Sequence, residues 1–307
     1  MKAIRIHSFG GPESLRLEQL DTPQPRAGEL LVKVQAASVN PVDFKIREGK
    51  YPPVKAESLP LVLGRDIAGV VEACGEGMAL EKGAAVYAML GMGRGGYEEY
   101  AIVQQDEAAR MPGNLSFVEA AAVPLAGLTA WQGLFDHGGL QEGQRVLIHG
   151  AAGGVGHFAL QFAKAKGAWA AVTVSSHDLE LVRELGADQI IDYKSQRFEQ
   201  EISEIDLVFD LIGGDTLKRS WSVLRDGGAL ISTLEEPRAE EQGRGLRGAR
   251  FTAQPSGLQL AEIGRLIEAG KVLPLIQNVF PLDQAAAAQT SLEKYHVRGK
   301  ILLEVAA

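Results

Sequence analysis

The chain has 307 residues, of which 46% are hydrophobic and 23% charged, a balance typical of a globular protein long enough for two domains. Its formal net charge of −8 argues against nucleic-acid binding, because no excess of Lys and Arg is available to neutralise phosphates. One cysteine, Cys74, excludes an intrachain disulfide. The start "MKAIRIHSFGG" lacks the apolar core of a signal peptide, and no apolar stretch is long enough for a membrane span. We therefore expect a cytoplasmic protein.

The first 122 residues consist of short apolar runs separated by Gly and Pro. "ELLVKVQAASV" (29–39) alternates apolar and polar residues, and three further runs bounded by turn residues follow at 59–77, 83–90 and 97–103. This pattern of short apolar runs bounded by turn residues predicts an antiparallel β domain.

From about residue 124, predicted strands alternate with predicted helices. Strand patterns occur at 145–150, 170–174, 189–192, 206–210 and 228–233, with helical patterns after 155 and at 178–185 and 215–224. Such alternation predicts a parallel sheet covered on both faces. The polar stretch 235–248 is interpreted as a loop, and its cluster of Arg244, Arg247 and Arg250 as solvated. A helical pattern at 257–270 follows, and the tail 299–305 returns to strand.

A glycine-rich turn, "HGAAGGVGHFAL" (149–160), lies between the predicted strand and helix. Ala151, Gly153 and Gly156 occupy the three positions of a dinucleotide-binding fingerprint, with Gly154 and Val155 between the last two. The N–H groups at the start of the helix would face the phosphates. The turn therefore predicts a dinucleotide site.

The residues after the next strand bear on the choice between NAD and NADP. Ser175 stands where NAD-binding proteins carry a carboxylate for the ribose hydroxyl, and Ser176 follows it. Without that carboxylate a 2′-phosphate would not be repelled, which favours NADP(H). Against this, Asp178 lies close by and no Lys or Arg is adjacent. Alternatively, the two serines cap the helix at 178–185.

Several longer segments together resemble the medium-chain dehydrogenase/reductase superfamily, in its zinc-free quinone oxidoreductase (zeta-crystallin-like) branch. They are residues 11–52, 59–77, 121–135 ("AAVPLAGLTAWQGLF"), 146–168, 185–193 ("LGADQIIDY") and 296–305 ("HVRGKILLEV"). The resemblance implies an α/β fold in which a Rossmann doubly wound parallel sheet is inserted into a GroES-like antiparallel β domain. It implies a GroES-like catalytic domain at 1–122, completed by 271–307, a Rossmann domain at 123–270 and an active site between them.

The resemblance also implies roles for individual residues. For the electron-poor acceptor it points to the Asn40 amide as a donor to a substrate oxygen, to the Tyr51 phenol, and to Asp43, whose alternative role is turn formation. For the cofactor it points to Thr129 near the nicotinamide and to Tyr193 near the adenosine phosphate. The remaining cofactor residues it indicates are backbone at Leu211, Ile212, Leu230 and Ile231, and Arg298 and Lys300, which would close over the cofactor or else be surface charges.

Zinc-dependent relatives carry a Cys near the position of Asn40, a His-Glu pair at Arg65 and Asp66, and a four-cysteine lobe. A chain with one cysteine cannot build either site, so we expect no zinc. Without a Lewis acid, the expected reaction is NADPH-dependent reduction of a quinone or an α,β-unsaturated carbonyl. The alternatives are an enoyl-thioester reductase and a non-catalytic dinucleotide-binding protein. Relatives dimerise through the edge strands of their Rossmann sheets, so we expect a homodimer, with "LIQNVFPL" (275–282) as a candidate edge.

Overall fold

The computed structural model describes residues 1–77, 79–238 and 244–305. The chain divides into two compact units. Unit 1 comprises Met1–Leu125, Gln254–Glu268 and Pro274–Ala307, and unit 2 comprises Ala126–Ala253 and Ala269–Leu273. The sequence analysis had placed the helix at 257–270 in the dinucleotide-binding part, whereas the structure groups Gln254–Glu268 with unit 1.

Unit 1 contains two sheets in the part of the chain that the structure describes. The strands are β1 (Lys2–Ile6), β2 (Arg16–Gln19), β3 (Glu29–Val39), β4 (Leu61–Val62), β5 (Asp66–Cys74), β6 (Ala85–Met89), β7 (Tyr100–Gln104), β8 (Ala108–Arg110), β15 (Ile276–Pro281) and β16 (Lys300–Glu304). The smaller sheet has the order β2-β1-β4. The larger has the order β15-β16-β3-β5-β6-β8, with β7 also paired to β3. The pairs in the larger sheet are antiparallel except β15 with β16, which is parallel.

The helices of unit 1 pack against its strands and against one another. They are α1 (Pro41–Arg47), α2 (Phe117–Ala121), α8 (Gly257–Glu268) and α9 (Ala285–Lys294), and α3 (Pro124–Trp131) begins in this unit. α1 begins directly after β3 because Asn40 is extended and Pro41 supplies a helical φ at the first position. The Asp43 carboxylate accepts from the Asn40 N–H at 2.8 Å, which satisfies one donor at the start of the helix.

Unit 2 is built on a six-stranded parallel sheet. Its strands are β9 (Arg145–His149), β10 (Trp169–Val174), β11 (Gln189–Asp192), β12 (Ile205–Asp210), β13 (Leu224–Ser232) and β14 (Arg247–Arg250). Its helices are α4 (Gly156–Ala165), α5 (Leu179–Glu184), α6 (Phe198–Glu201) and α7 (Gly214–Ser220), and a π-helical segment, Gln132–His137, follows α3. The strand order β11-β10-β9-β12-β13-β14 is the 3-2-1-4-5-6 order of a Rossmann sheet. The predicted fold class is confirmed.

Short 3₁₀ segments complete the secondary structure of the described chain. They lie at Pro12–Ser14, Ala56–Ser58, Gln105–Glu107, Ser176–Asp178, Trp221–Val223 and Leu282–Gln284. None of the helices in the described ranges combines the length and the apolar character needed to cross a bilayer.

Two sequence-based predictions about edges and loops differ from the structure. The segment 275–282 does contain an edge strand, β15, but that strand belongs to the sheet of unit 1; β14 is an edge of the Rossmann sheet. The interpretation of 235–248 as loop is wrong for its last residues, because β14 begins at Arg247 and pairs with β13. Arg244, Arg247 and Arg250 are exposed, as the sequence predicted, and the Arg244 Nε donates to Asp226 at 2.7 Å. Residues 239–243 of this stretch lie outside the described residues.

Candidate functional site

The glycine loop of unit 2 joins β9 to α4 and leaves no room for a side chain at Gly156. Gly150 has a φ of 77°, in the left-handed region that favours glycine. A Cβ atom at Gly156 would lie 2.2 Å from the Gly150 carbonyl oxygen and 2.6 Å from the Ala151 Cα. Only glycine therefore lets the first turn of α4 pack on the loop, as the dinucleotide fingerprint requires.

The loop lies at the point where the order of the sheet reverses. β9 pairs with β10 on one side and with β12 on the other, so the segments after β9 and β12 leave the sheet in neighbouring positions. The first N–H groups of a helix have no partner within the helix. At the start of α4, beside Gly153 and Gly154, they form the kind of site that binds phosphate groups.

Asp210 organises the second loop at this edge. Its buried carboxylate ends β12 and accepts from the backbone N–H groups of Ile212 and Gly213, at 3.2 and 3.0 Å, and from the Ser232 hydroxyl at 2.8 Å. Leu211 and Ile212 therefore sit in a fixed turn directly after β12, as predicted. The side chain of Ile212 lies against the glycine loop, since a Cβ at Gly150 would be 3.0 Å from its Cδ1.

Leu230 and Ile231 lie close to the carboxyl end of their strand. β13 continues to Ser232, and both residues are buried inside it, paired in register with Val208 and Phe209 of β12. The predicted strand at 228–233 covers the carboxyl-terminal part of β13, and the two residues lie one and two positions before its last residue. Their contact with a cofactor stays a prediction.

The carboxyl ends of β10 and β11 carry the residues predicted to face the adenosine. Ser175 directly follows β10, and its hydroxyl donates to Asp178 at 2.7 Å. The Asp178 carboxylate is therefore turned inward, on a residue only 1% exposed. Ser175 precedes the 3₁₀ segment Ser176–Asp178, but its side chain makes no capping bond, so the capping alternative is wrong for Ser175. Tyr193 donates its N–H to Val174 and leaves its side chain exposed.

His149, the last residue of β9, is buried between two hydroxyl groups. Its Nδ1 lies 2.9 Å from Thr173 Oγ1 and its Nε2 lies 3.0 Å from Ser220 Oγ. Because the Ser220 hydroxyl already donates to the Thr216 carbonyl at 2.7 Å, it accepts from Nε2–H, and Thr173 donates to Nδ1. Burial lowers the pKa of His149 to about 3, so the ring is neutral and rigidly held just before Gly150.

A second candidate region, in unit 1, is a buried cluster of polar side chains around Asn40. The Asn40 Nδ2 group donates to Asp66 Oδ2 at 2.8 Å, and its Oδ1 accepts from the Lys300 ammonium group. Ser38 also donates to Asp66, and the Lys300 Nζ lies 3.9 Å from Asp66 Oδ2. Lys300 is 3% exposed, so the alternative of a surface charge is wrong for this residue. Burial lowers the pKa of Lys300, and the carboxylates of Asp66 and Asp43 oppose that effect.

Asp43 continues this cluster through Tyr97. Its Oδ2 accepts from the Asn40 N–H and from the Tyr97 hydroxyl, both at 2.8 Å, while Oδ1 is buried without a hydrogen-bond partner among the described residues. Burial raises the pKa of Asp43 to about 6 and the pKa of Tyr97 well above its ordinary value. The structural role that the sequence offered for Asp43 is therefore present, because it stabilises the start of α1.

The other predicted site residues lie in three different settings. Tyr51 is partly buried against the apolar core of unit 1, and Arg298 is exposed with its backbone N–H donating to Gln277. Thr129 is 7% exposed on α3. Contacts of these residues, and of Asn40 and Asp43, with substrate or cofactor stay predictions.

The residues at the positions of the relatives' zinc ligands do not fit a zinc ion. Arg65 has no lone pair to offer a metal, and its guanidinium Nε donates to the Leu90 carbonyl. Asn40 and Asp66 share their polar atoms with an ammonium group. Within the described ranges, no three His, Cys, Asp or Glu side chains form a group that could hold a metal. We derive no chemistry through zinc.

Comparisons with known proteins agree with this geometry. Residues 26–113 match the family described as alcohol dehydrogenase GroES-like domain, and residues 185–303 match the family described as zinc-binding dehydrogenase. The human NAD(P)H oxidoreductase RTN4IP1, mitochondrial, is 35% identical, over 99% of this chain and 89% of its own. The chain belongs to the medium-chain dehydrogenase/reductase superfamily, in its quinone oxidoreductase-like branch.

Solved structures of the same superfamily are also similar to this chain, and together with the relatives they identify it as an oxidoreductase. The quinone oxidoreductase from Coxiella burnetii is similar with a TM-score of 0.90 and 35% identity, covering 100% of this chain and 99% of that one. The Escherichia coli quinone oxidoreductase complexed with NADPH gives a TM-score of 0.88 at 29% identity, covering 99% and 100%. The Arabidopsis thaliana NADPH-dependent alkenal/one oxidoreductase, chloroplastic, is 36% identical over 99% of this chain and 79% of its own. Cytoplasmic localisation stays a prediction.

Five residues of these two regions were missed by the sequence analysis: Ser38, Asp66, which it named only as the counterpart of a zinc ligand, Tyr97, His149 as a positioning group, and Asp210. An Asp at the end of an apolar strand run, as in "DLVFD", was a usable signal for Asp210, because a carboxylate there can bind the N–H groups of the following turn. Ser38 and Tyr97 carried no local signal, since their partners are distant in sequence.

Proposed function

We propose that this protein is an NADPH-dependent, zinc-independent reductase that transfers hydride to a quinone or an α,β-unsaturated carbonyl compound. The observation that carries the proposal is the glycine loop at the reversal of the Rossmann sheet, where Gly156 has no space for a methyl group. Relatives named for quinone and alkenal/one reduction support the choice of acceptor.

The surroundings of Ser175 support NADPH over NADH. A carboxylate that binds the ribose hydroxyl of NAD would repel a 2′-phosphate. Here the nearest acid, Asp178, bonds with Ser175 and is buried, while Ser176 and Tyr193 are exposed beside it. Hydroxyl groups at that position can donate to phosphate oxygens.

When bound, the cofactor would supply the hydride. The glycine loop and the N-terminus of α4 would hold its phosphates, and the turn set by Asp210 would line the site beside them. We propose further that the Tyr51 phenol and the Asn40 Nδ2–H that Asp66 does not use hydrogen-bond the acceptor oxygen, which gains negative charge during the transfer. An electron-poor acceptor needs orientation and such donors, and no Lewis acid.

The test is the oxidation of NADPH and of NADH by 1,4-benzoquinone and by but-3-en-2-one, with protein treated with chelator and checked for residual metal. We expect turnover with both acceptors, undiminished by the chelator, and a lower KM for NADPH than for NADH. Activity lost with the metal would contradict zinc independence. Binding of NADPH without reduction of either acceptor would contradict the proposed reaction.

Tyr51→Phe tests the proposed donor, and Tyr295→Phe serves as its matched control because Tyr295 is exposed. Loss of the Tyr51 phenol should lower kcat about 100-fold or more, in the range of one donor to a developing charge, while the control keeps wild-type kinetics. Equal kinetics of the two variants would remove Tyr51 from the reaction.

We also propose a homodimer, formed through the edge of the Rossmann sheet. β14 is such an edge strand, and unpaired strand edges favour pairing with another chain. Light scattering after size-exclusion chromatography should give twice the 32.8 kDa chain mass. Arg250→Pro should shift the protein toward the monomer, because the Phe251 N–H donates to Ser232 of β13 and the Arg250 N–H therefore faces the free edge of β14. A wild-type monomer would refute the dimer.

A further inference from the structure

The hydrogen bonds around Asn40 have directions that chemistry alone determines. An ammonium group only donates and a carboxylate only accepts. Lys300 therefore requires Asn40 Oδ1 on its side, and Asp66 requires Nδ2 on the other. Asn40 is 1% exposed, and the two charged groups together set the orientation of its amide.

Asp66 also connects this cluster to a helix. While Oδ2 accepts from Asn40 and Ser38, Oδ1 accepts from the backbone N–H of Leu125 at 2.7 Å. Leu125 is the second residue of α3, where an N–H group has no partner within the helix and where a negative charge is favourable. The Asp66 carboxylate is thus a cap of α3, the helix that carries Thr129.

Removing the charge of Lys300 would leave the buried Asp66 carboxylate without its compensating positive charge. Lys300 is the charged partner of Asp66 in the cluster, at 3.9 Å, and it also donates to the Val39 carbonyl at 3.4 Å. Removing one member of a buried charge pair is strongly unfavourable, because the other charge stays buried.

We propose that Lys300 is a positioning residue that orients the Asn40 amide and holds the Asp66 carboxylate as the cap of α3. This assigns Lys300 a role through unit 1 in place of the cofactor contact that the sequence suggested. Its consequence for turnover rests on the proposed function, whereas the orientation itself does not.

The charge of Lys300 gives the test a pH signature. The titratable groups that face it are Asp66 on β5, Asp43 on α1 and Tyr97 before β7. Lys300→Met removes a cation that favours the ionised Asp43 carboxylate, so the pKa of Asp43, already raised by burial, rises further in the folded protein. A carboxyl group with a raised pKa destabilises the fold as pH increases through that range. The variant should therefore lose more stability at pH 8.0 than at pH 5.5. Tyr97 stays neutral throughout, because its pKa is well above its ordinary value.

The experiment measures urea unfolding midpoints of the wild type, Lys300→Met, Asp66→Asn and the double variant at both pH values. Lys271→Met is the matched control, because Lys271 is exposed. We expect the midpoint of Lys300→Met to fall below wild type by at least twice as much at pH 8.0 as at pH 5.5. Asp66→Asn in the Lys300→Met background should restore part of the loss at pH 8.0, and the control should match wild type.

Other outcomes would overturn the proposal. Equal losses at the two pH values, with no recovery in the double variant, would show that Lys300 contributes packing alone. A higher Kd for NADPH in a Lys300→Met variant of unchanged stability would show that it contacts the cofactor. If Lys300→Met does not fold at pH 8.0, a folded double variant supports the proposal and an unfolded one refutes it.

Turnover with 1,4-benzoquinone separates this inference from the proposed function. We expect kcat of Lys300→Met to fall at least tenfold, and more at pH 8.0 than at pH 5.5. Full turnover in the variant would overturn the positioning role. If the wild type itself reduces no acceptor, the proposed function fails, and the unfolding midpoints still decide whether Lys300 holds Asp66.

Discussion

Gly156→Ala tests the close packing at the start of α4 most directly. The added Cβ would lie 2.2 Å from the Gly150 oxygen and 2.6 Å from the Ala151 Cα, where carbon contacts need about 3.5 Å. The loop and the helix must therefore separate by roughly 1 Å. Such overpacking costs about 1–3 kcal/mol, whereas the gain in helix propensity from Gly to Ala is at most about 1 kcal/mol. We expect a destabilised protein with a displaced phosphate-binding loop.

Two assays read these effects separately. Urea unfolding should show a lower midpoint for Gly156→Ala, and fluorescence titration should show a Kd for NADPH raised at least tenfold, or about 1.4 kcal/mol. Gly153→Ala is the informative companion, because its Cβ would be an acceptable 3.4 Å from the Gly150 oxygen; it should lose affinity and keep its stability. Gly113→Ala, with nothing within 4 Å, should change neither. A Gly156→Ala variant with wild-type affinity and midpoint would refute the reasoning.

Three further predictions concern buried acids and a buried imidazole. The pKa of His149 is about 3 in the folded protein, against 6.5 ordinarily, so the unfolded chain binds a proton first and the free energy of unfolding falls by about 1.4 kcal/mol per pH unit below about pH 6. His149→Asn should lose that part of the pH dependence in urea unfolding, and an unchanged pH dependence would contradict the prediction. Asp43, with a pKa raised from 3.8 to about 6, destabilises the fold as pH rises from about 4 to 6. Asp43→Asn should therefore make the free energy of unfolding less dependent on pH in this range, and a stronger pH dependence would refute the assignment. Asp210→Ala should raise the Kd for NADPH about tenfold by freeing the turn at Ile212, while Asp215→Ala, whose side chain is 90% exposed, should bind as wild type does.

The cofactor-binding part of unit 2 was predictable because its signals are local. The strand 145–149, the glycines and the helical stripe after Gly156 lie within about twenty consecutive residues, and each has its own pattern. The position of β13 was less accessible. The apolar run predicts a strand at 228–233, whereas β13 begins at Leu224, because the polar residues and glycines of "RDGG" carry no strand pattern.

The buried cluster of unit 1 was not predictable from sequence patterns. Asn40 and Lys300 are separated by 260 positions, and they meet because β16 pairs with β3, with Ile301 opposite Val39. The resemblance singled out Asn40, Asp43 and Lys300 but assigned the lysine to the cofactor. Its actual partners depend on strand register, which an isolated "HVRGKILLEV" does not contain. The grouping of α8 with unit 1 has the same origin, since Tyr87 of β6 donates to Leu260 over 173 positions.

The pairing of β16 with β3 determines the order in which the chain can fold during synthesis. All six strands of the Rossmann sheet lie between Arg145 and Arg250, so that sheet can close while the ribosome is still adding residues. β3, by contrast, pairs with β7 only along Glu29–Lys33, so its last residues, Ala36–Val39, stay unpaired on that edge and Asn40 stays without its lysine until a segment 261 positions later emerges. At bacterial to eukaryotic elongation rates this interval is roughly 13 to 50 s. During that time the nascent amino-terminal sheet presents an open, apolar edge, the kind of surface that chaperones bind and that misassembly exploits.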